Sequence, residues 1–166
     1  MTTVNLLLNL KTMLESEFER LEIAGRNKEI EKQPLKADSV INIDKNAYSK
    51  PNVYIGFRPV SVNQYDFPAV VIMPPVKARE SQEEKEYDIT FLLSVKHNLK
   101  AVDNNATLEA ISFMERIKDI IFKNRLVGGF ALNFEDIEWG VDIIMNSPDI
   151  SVGEINCTYK SLNNYK

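Results

Sequence analysis

From Tyr87 to Lys96 the side chains alternate almost one for one. Tyr87, Ile89, Phe91, Leu93 and Val95 are apolar, whereas Asp88, Thr90, Ser94 and Lys96 are polar. A period of two is the repeat of a β-strand, because successive side chains leave a strand on opposite faces. Wound into a helix, the same residues would scatter their apolar groups around the axis. The chain must therefore build a sheet with at least one buried face. Leu92 interrupts the polar set, which predicts that the second face is not fully wet.

Phe67-Pro68-Ala69-Val70-Val71-Ile72-Met73 is nearly all apolar and ends at Pro74-Pro75. A strand of that kind is covered on both sides, so it belongs in the interior of a sheet or against a partner. Val53 to Phe57 predicts a shorter strand before it. Beyond the alternating strand, Phe130, Leu132 and Phe134 share one parity, and Ile137, Trp139, Val141 and Ile143 share the other. One strand can hold both sets in the core only if a bulge or turn near Asp136 flips the register. After the turn signal Asn146-Ser147-Pro148-Asp149, the alternation of Ile155, Cys157 and Tyr159 predicts a final strand that pairs as a hairpin.

Two segments carry helical spacing instead. Val4, Leu7, Leu14, Phe18 and Leu21 predict a first helix that Thr3 caps and that ends before Gly25. Leu108, Ile111, Met114, Ile117 and Ile121, joined by Phe113 and Ile120, predict a second. Its cap lies within Asp103-Asn104-Asn105, and Lys123 and Arg125 sit in its last turn, where cations favour the helix dipole. Gly128-Gly129 is expected to close it. The order predicts an α+β fold: one mostly antiparallel β-sheet with two main helices packed on one face. The whole chain, 1–166, fits a single domain. A long polar loop or arm is expected at about 25–52, with a short strand possible at Val40 to Ile43. Arg79 to Glu86 reads as a charged turn.

Composition narrows the function. The single cysteine, Cys157, can form no internal disulfide, and no Cys/His cluster has zinc-site spacing. The longest apolar run, Ala69 to Met73, is far shorter than the ~20 residues of a membrane helix. The leucine-rich start has no basic n-region. These features predict a soluble protein of a reducing compartment, with no cofactor and no membrane.

The net charge of −4 is distributed unevenly. Between Leu126 and Tyr159 there is no Lys or Arg, while Glu135, Asp136, Glu138, Asp142, Asp149 and Glu154 are all acidic. The only basic-leaning stretch, Gly25 to Asn52, is mixed, which argues against direct DNA binding.

Chemistry-bearing residues are few. His97, the only histidine, lies at a strand end with no nucleophile near it in sequence, and reads as a partly buried side chain. Cys157 shares the face of Ile155 and Tyr159 and reads as core packing, since a reactive thiol needs an electropositive setting. Glu135, Asp136, Glu138 and Asp142 admit three readings. They could hold Mg²⁺ or Ca²⁺ or work as an acid/base pair, form a solvated strand face, or present an acidic surface to which DNA phosphates do not adhere. Phosphate-loop and dinucleotide motifs are absent. No catalytic, metal or cofactor residue is therefore assigned, and the chain is read as a non-enzyme.

The layout resembles the tail terminator (tail completion or neck) proteins of long-tailed phages and prophages. The likeness lies in the N-terminal helix leading to Phe67-Pro68-Ala69-Val70-Val71-Ile72, and in the strand Tyr87 to Val95 followed by a helix from Ala106 to Arg125. It ends in the hairpin closing on Gly153-Glu154-Ile155-Asn156-Cys157-Thr158-Tyr159. The resemblance implies a structural virion-assembly subunit, made in the host bacterial cytoplasm. Such subunits form a homo-oligomer, a hexameric ring that caps the tail tube. Tail tube protein and the head–tail connector protein would be partners, and DNA would pass without specific binding. In that setting Glu135, Glu138 and Asp142 would face the lumen. Arg79, Glu83, Glu84 and Lys85 would lie in an interface loop, and the 25–52 segment would reach a neighbour. The alternative is a non-catalytic protein-binding domain, monomeric or dimeric, of other phage or bacterial origin.

Overall fold

The computed structural model describes residues 2–20, 23–24, 48–56, 67–75, 78–80, 84–96, 106–141 and 150–162. Helix α1 spans Thr3–Glu17 and runs into a 3-10 turn, Phe18–Arg20. Thr2 rather than Thr3 caps it: the Asn5 N–H donates to Thr2 Oγ1 at 3.3 Å. Its buried residues are Leu6, Leu7, Leu10 and Leu14, continued by Phe18. The buried stripe thus steps by four from Leu6, and Val4, expected inside, stays 62% exposed. With five leucines and valines in the first eight helical positions, spacing alone does not choose among overlapping stripes; packing against the sheet does.

Strands β1 (Ile23–Ala24) and β2 (Tyr48–Ser49) form a small antiparallel pair. The main sheet has seven strands. These are β3 (Asn52–Ile55), β4 (Ala69–Met73), β5 (Ala78–Glu80), β6 (Glu84–Lys96), β7 (Leu126–Val127), β8 (Phe130–Val141) and β9 (Ile150–Leu162). Their order is β3-β4-β6-β9-β8-β7, with β5 pairing onto the start of β6. All pairings are antiparallel except β3 with β4. The fold is therefore mixed α+β with an open, curled, mostly antiparallel sheet and two helices. Helix α2 spans Ala106–Lys123.

The alternating strand and its partner form the spine. β6 pairs with β9 along its whole length, from Glu84↔Leu162 to Lys96↔Ile150. Tyr87, Ile89, Phe91, Leu93 and Val95 are all buried, as their alternation requires. They join Ile155, Cys157 and Tyr159 of β9 and Val70 and Ile72 of β4 in one cluster. Leu6, Leu10 and Leu14 of α1 and Ala110, Phe113, Met114, Ile117 and Ile121 of α2 belong to the same cluster. In β4, Ala69 to Ile72 are buried irrespective of parity, as an interior strand demands.

The parity conflict in β8 is resolved by a bulge. Asn133 pairs with Thr158 and Glu138 with Asn156, so residues 134–137 face Cys157 alone on β9. The displacement returns Trp139 to the parity of Leu132, and Ile137 and Val141 pack against the core, whereas Phe134 and Trp139, expected inside, stay 42% and 46% exposed.

Three expectations need correction. The stripe of α2 runs through Ala110, Phe113, Met114, Ile117 and Ile121, and Leu108 is exposed. Gly128-Gly129 does not close that helix. Both glycines have positive φ (57° and 86°) and form the two-residue turn between β7 and β8, where Val127 pairs with Phe130. A type I′ hairpin turn requires that sign of φ at both central positions. Finally, Arg79 to Glu86 is largely paired strand. Cross-strand ion pairs Arg79–Glu86 and Lys85–Glu80 hold β5 to β6, and polar residues at both parities hide such a hairpin from a periodicity test. The strand expected at Val40 to Ile43, the Asp103-Asn104-Asn105 cap and the Asn146–Asp149 turn lie outside the described residues, as does most of the 25–52 segment.

Candidate functional site

The second face of the spine carries the polar side chains. Register brings Glu86 beside Lys160, Asp88 beside Thr158, Thr90 beside Asn156 and Leu92 beside Glu154. On β8, Glu138 stands beside Asn156 and Gly140 beside Glu154. Asp88, Glu135 and Glu138 border one cleft with Thr90 and Asn156, and Glu86 and Glu154 share that face farther along β6 and β9.

Among the described side chains, charge compensation lies at one end of this surface. Lys160 Nζ lies 2.8 Å from Glu86 and 3.7 Å from Glu84. Arg79 reaches Asp88 at 3.2 Å and Glu86 at 3.7 Å. The Thr158 hydroxyl donates to Asp88 Oδ1 at 2.9 Å. Toward the other end the contacts are neutral: the Thr90 hydroxyl donates to Asn156 Oδ1, and Asn156 Nδ2 donates to Glu154 Oε1. Among the described residues no cation pairs with Glu135, Glu138 or Glu154. Glu135 and Glu138 are exposed.

The β8 bulge shapes a shallow cleft of about 310 Å³ here, lined by Asp88, Thr90, Glu135, Ile137, Glu138 and Asn156 with their strand neighbours. Among the described residues no group of three or more His, Cys, Asp or Glu side chains is placed to hold a metal ion.

No protein-family model and no curated protein matches this sequence.

Of the residues singled out from sequence, Glu135 and Glu138 do meet at one cleft, whereas Asp142 lies outside the described residues. Sequence reasoning missed Asp88 and Glu86, which the β6–β9 register delivers to the same face. Their signal was present as polar positions of the alternating strand, but the pairing partner was not. Arg79, Glu84 and Lys85 are engaged in the β5–β6 region by the ion pairs described above, and Glu83 lies outside the described residues. His97 also lies outside them. Cys157 is buried, and desolvation pushes its thiol up to about 12, far from the range of a nucleophilic thiolate.

Proposed function

We propose that the chain is a structural subunit of a ring, of the tail-terminator kind its layout resembles, with the acidic sheet face turned to the lumen. The observation that carries the proposal is the acidic face itself: carboxylates of β6, β8 and β9 on one surface, with Arg79 and Lys160, the cations paired to it among the described residues, at one end. A surface of that sign repels phosphate, so duplex DNA slides past it without adhering. The shared cluster of α1, α2 and core-side strand residues supports a further inference, that both helices pack on the opposite face. That leaves the helical side to meet neighbouring subunits, tail tube protein and the head–tail connector protein. The function calls for no catalysis, and places the chain in a virion assembled in the host bacterial cytoplasm.

Native mass over a concentration range, followed by negative-stain imaging, tests the proposal. A closed ring of about six copies of 19.0 kDa is expected, near ~114 kDa. A discrete dimer would replace it with the alternative of a small non-catalytic binding domain. A monomer at every concentration that also fails to bind purified tube protein would do the same.

A further inference from the structure

Strand β3 ends the sheet: β4 pairs with one of its edges, and among the described residues no strand pairs with the other. The Asn52 N–H donates to the Pro68 carbonyl and the Gly56 N–H to the Ile72 carbonyl, both at 2.9 Å. Backbone groups alternate direction along a strand, so the N–H and C=O groups of Val53 and Ile55 point away from β4. Beside this strand runs a groove of about 620 Å³ bounded by residues 50–54 on one side. Thr12, Glu15, Ser16 and Glu19 of α1 and its 3-10 extension form the other wall.

An edge strand facing a helix across an open groove is a template for an added strand. The wall sets the chemistry of what is added. Glu15 and Glu19 are exposed, and among the described residues Glu15 has a loose pairing with Lys11, at 3.7 Å. Glu15 and Glu19 lie four residues apart across the junction of α1 with its 3-10 turn, an advance of about 6–8 Å along the axis. Alternate residues of an extended strand advance about 6.6 Å. Cations at positions i and i+2 of a docked strand therefore match Glu15 and Glu19 in spacing as well as sign, with Thr12 and Ser16 supplying hydroxyls beside them. Lys50 also lines the groove and disfavours a cation beside it.

We propose that this groove takes an extended segment of a partner protein that bears lysine or arginine at alternate positions and adds as a strand to β3. The site is distinct from the acidic sheet face and does not depend on ring formation.

The probe is a blocked heptapeptide alternating lysine with valine or threonine, compared with its glutamate counterpart and titrated into the full chain. Amide exchange and chemical shifts of Val53 and Ile55 are followed. The lysine peptide should protect those two amides, and the exposed double variant Glu15→Gln/Glu19→Gln should weaken it about three- to tenfold. Equal binding of the glutamate peptide, or no change at Val53 and Ile55 at millimolar peptide, overturns the proposal. So does protection that rises with protein concentration without peptide, which assigns the groove to a second copy. Full protection in the dilute chain alone also overturns it, since the chain then fills its own groove.

Discussion

Lys123 at the end of α2 donates to both carboxylate oxygens of Glu17 at the end of α1, at 3.0 and 3.1 Å. Asn124 Nδ2 adds a longer contact to Glu17 at 3.4 Å while also bonding the Ile120 carbonyl. The two helices are thus pinned tip to tip by residues 106 positions apart. Lys123 sits in the last turn of α2, as read from sequence, and its charge also pairs with the end of the other helix.

Because Lys123 is 68% exposed, the pair is screened by water. Lys123→Ala is expected to cost less than about 1 kcal/mol, and the difference from the parent should shrink as salt is raised. Urea denaturation at two ionic strengths measures both.

Gly128 is a stricter position. Its φ is +57°, and a Cβ there would run into the Asn9 side chain of α1. Gly128→Ala should cost at least about 1–2 kcal/mol from backbone conformation alone. The Asn9→Ala background removes the steric part but not the φ penalty, so a thermal-melt cycle over the two positions should recover only a fraction of the loss.

Cys157 and Tyr159 sit side by side in the core and set an alkaline limit. Burial pushes the Cys157 thiol up to about 12 from its ordinary 9.0, and burial, then the neighbouring Cys157, raises the Tyr159 hydroxyl as well. In that range the folded chain keeps protons that the unfolded chain has lost. Stability is therefore fully present below pH 9 and falls as pH climbs from 9 toward 12. Denaturation midpoints across that range measure it, and a thiol reagent at pH 8 should label Cys157 only when the chain unfolds. Substituting Cys157→Ala should flatten part of the alkaline slope.

The acidic face makes a prediction about DNA. The parent chain should not retain duplex DNA at low salt. Glu138→Lys/Glu154→Lys reverses two carboxylates that have no ion pair among the described residues, and should confer weak, sequence-independent binding that disappears within a few hundred millimolar salt. Fluorescence anisotropy with a labelled duplex reads it. No gain in binding would mean that this face does not control DNA passage.

Much of the architecture was legible along the chain. The burial of Tyr87 to Val95, the covered strand at Ala69–Met73, two helices and even the need for a bulge near Asp136 follow from spacing. What spacing misplaced was finer. In α1 several leucines share overlapping stripes, so Val4 was drawn inward and Leu6 and Leu10 were passed over. The β5–β6 hairpin was invisible because charged residues occupy both parities. Gly128-Gly129 follows a helix in sequence but turns a hairpin in space, a distinction carried by the pairing of Val127 with Phe130.

By itself the sequence determined which residues alternate, which wind and which must be shielded from water, since those periodicities are properties of neighbouring residues. It also placed Glu135 and Glu138 in a stretch without cations. Only the tertiary structure decided that Asp88 and Glu86 join them while Arg79 and Lys160 gather at one end. That assembly rests on the register of β6 against β9, strands some 70 residues apart, and register is set by the packing of whole faces rather than by any local signal.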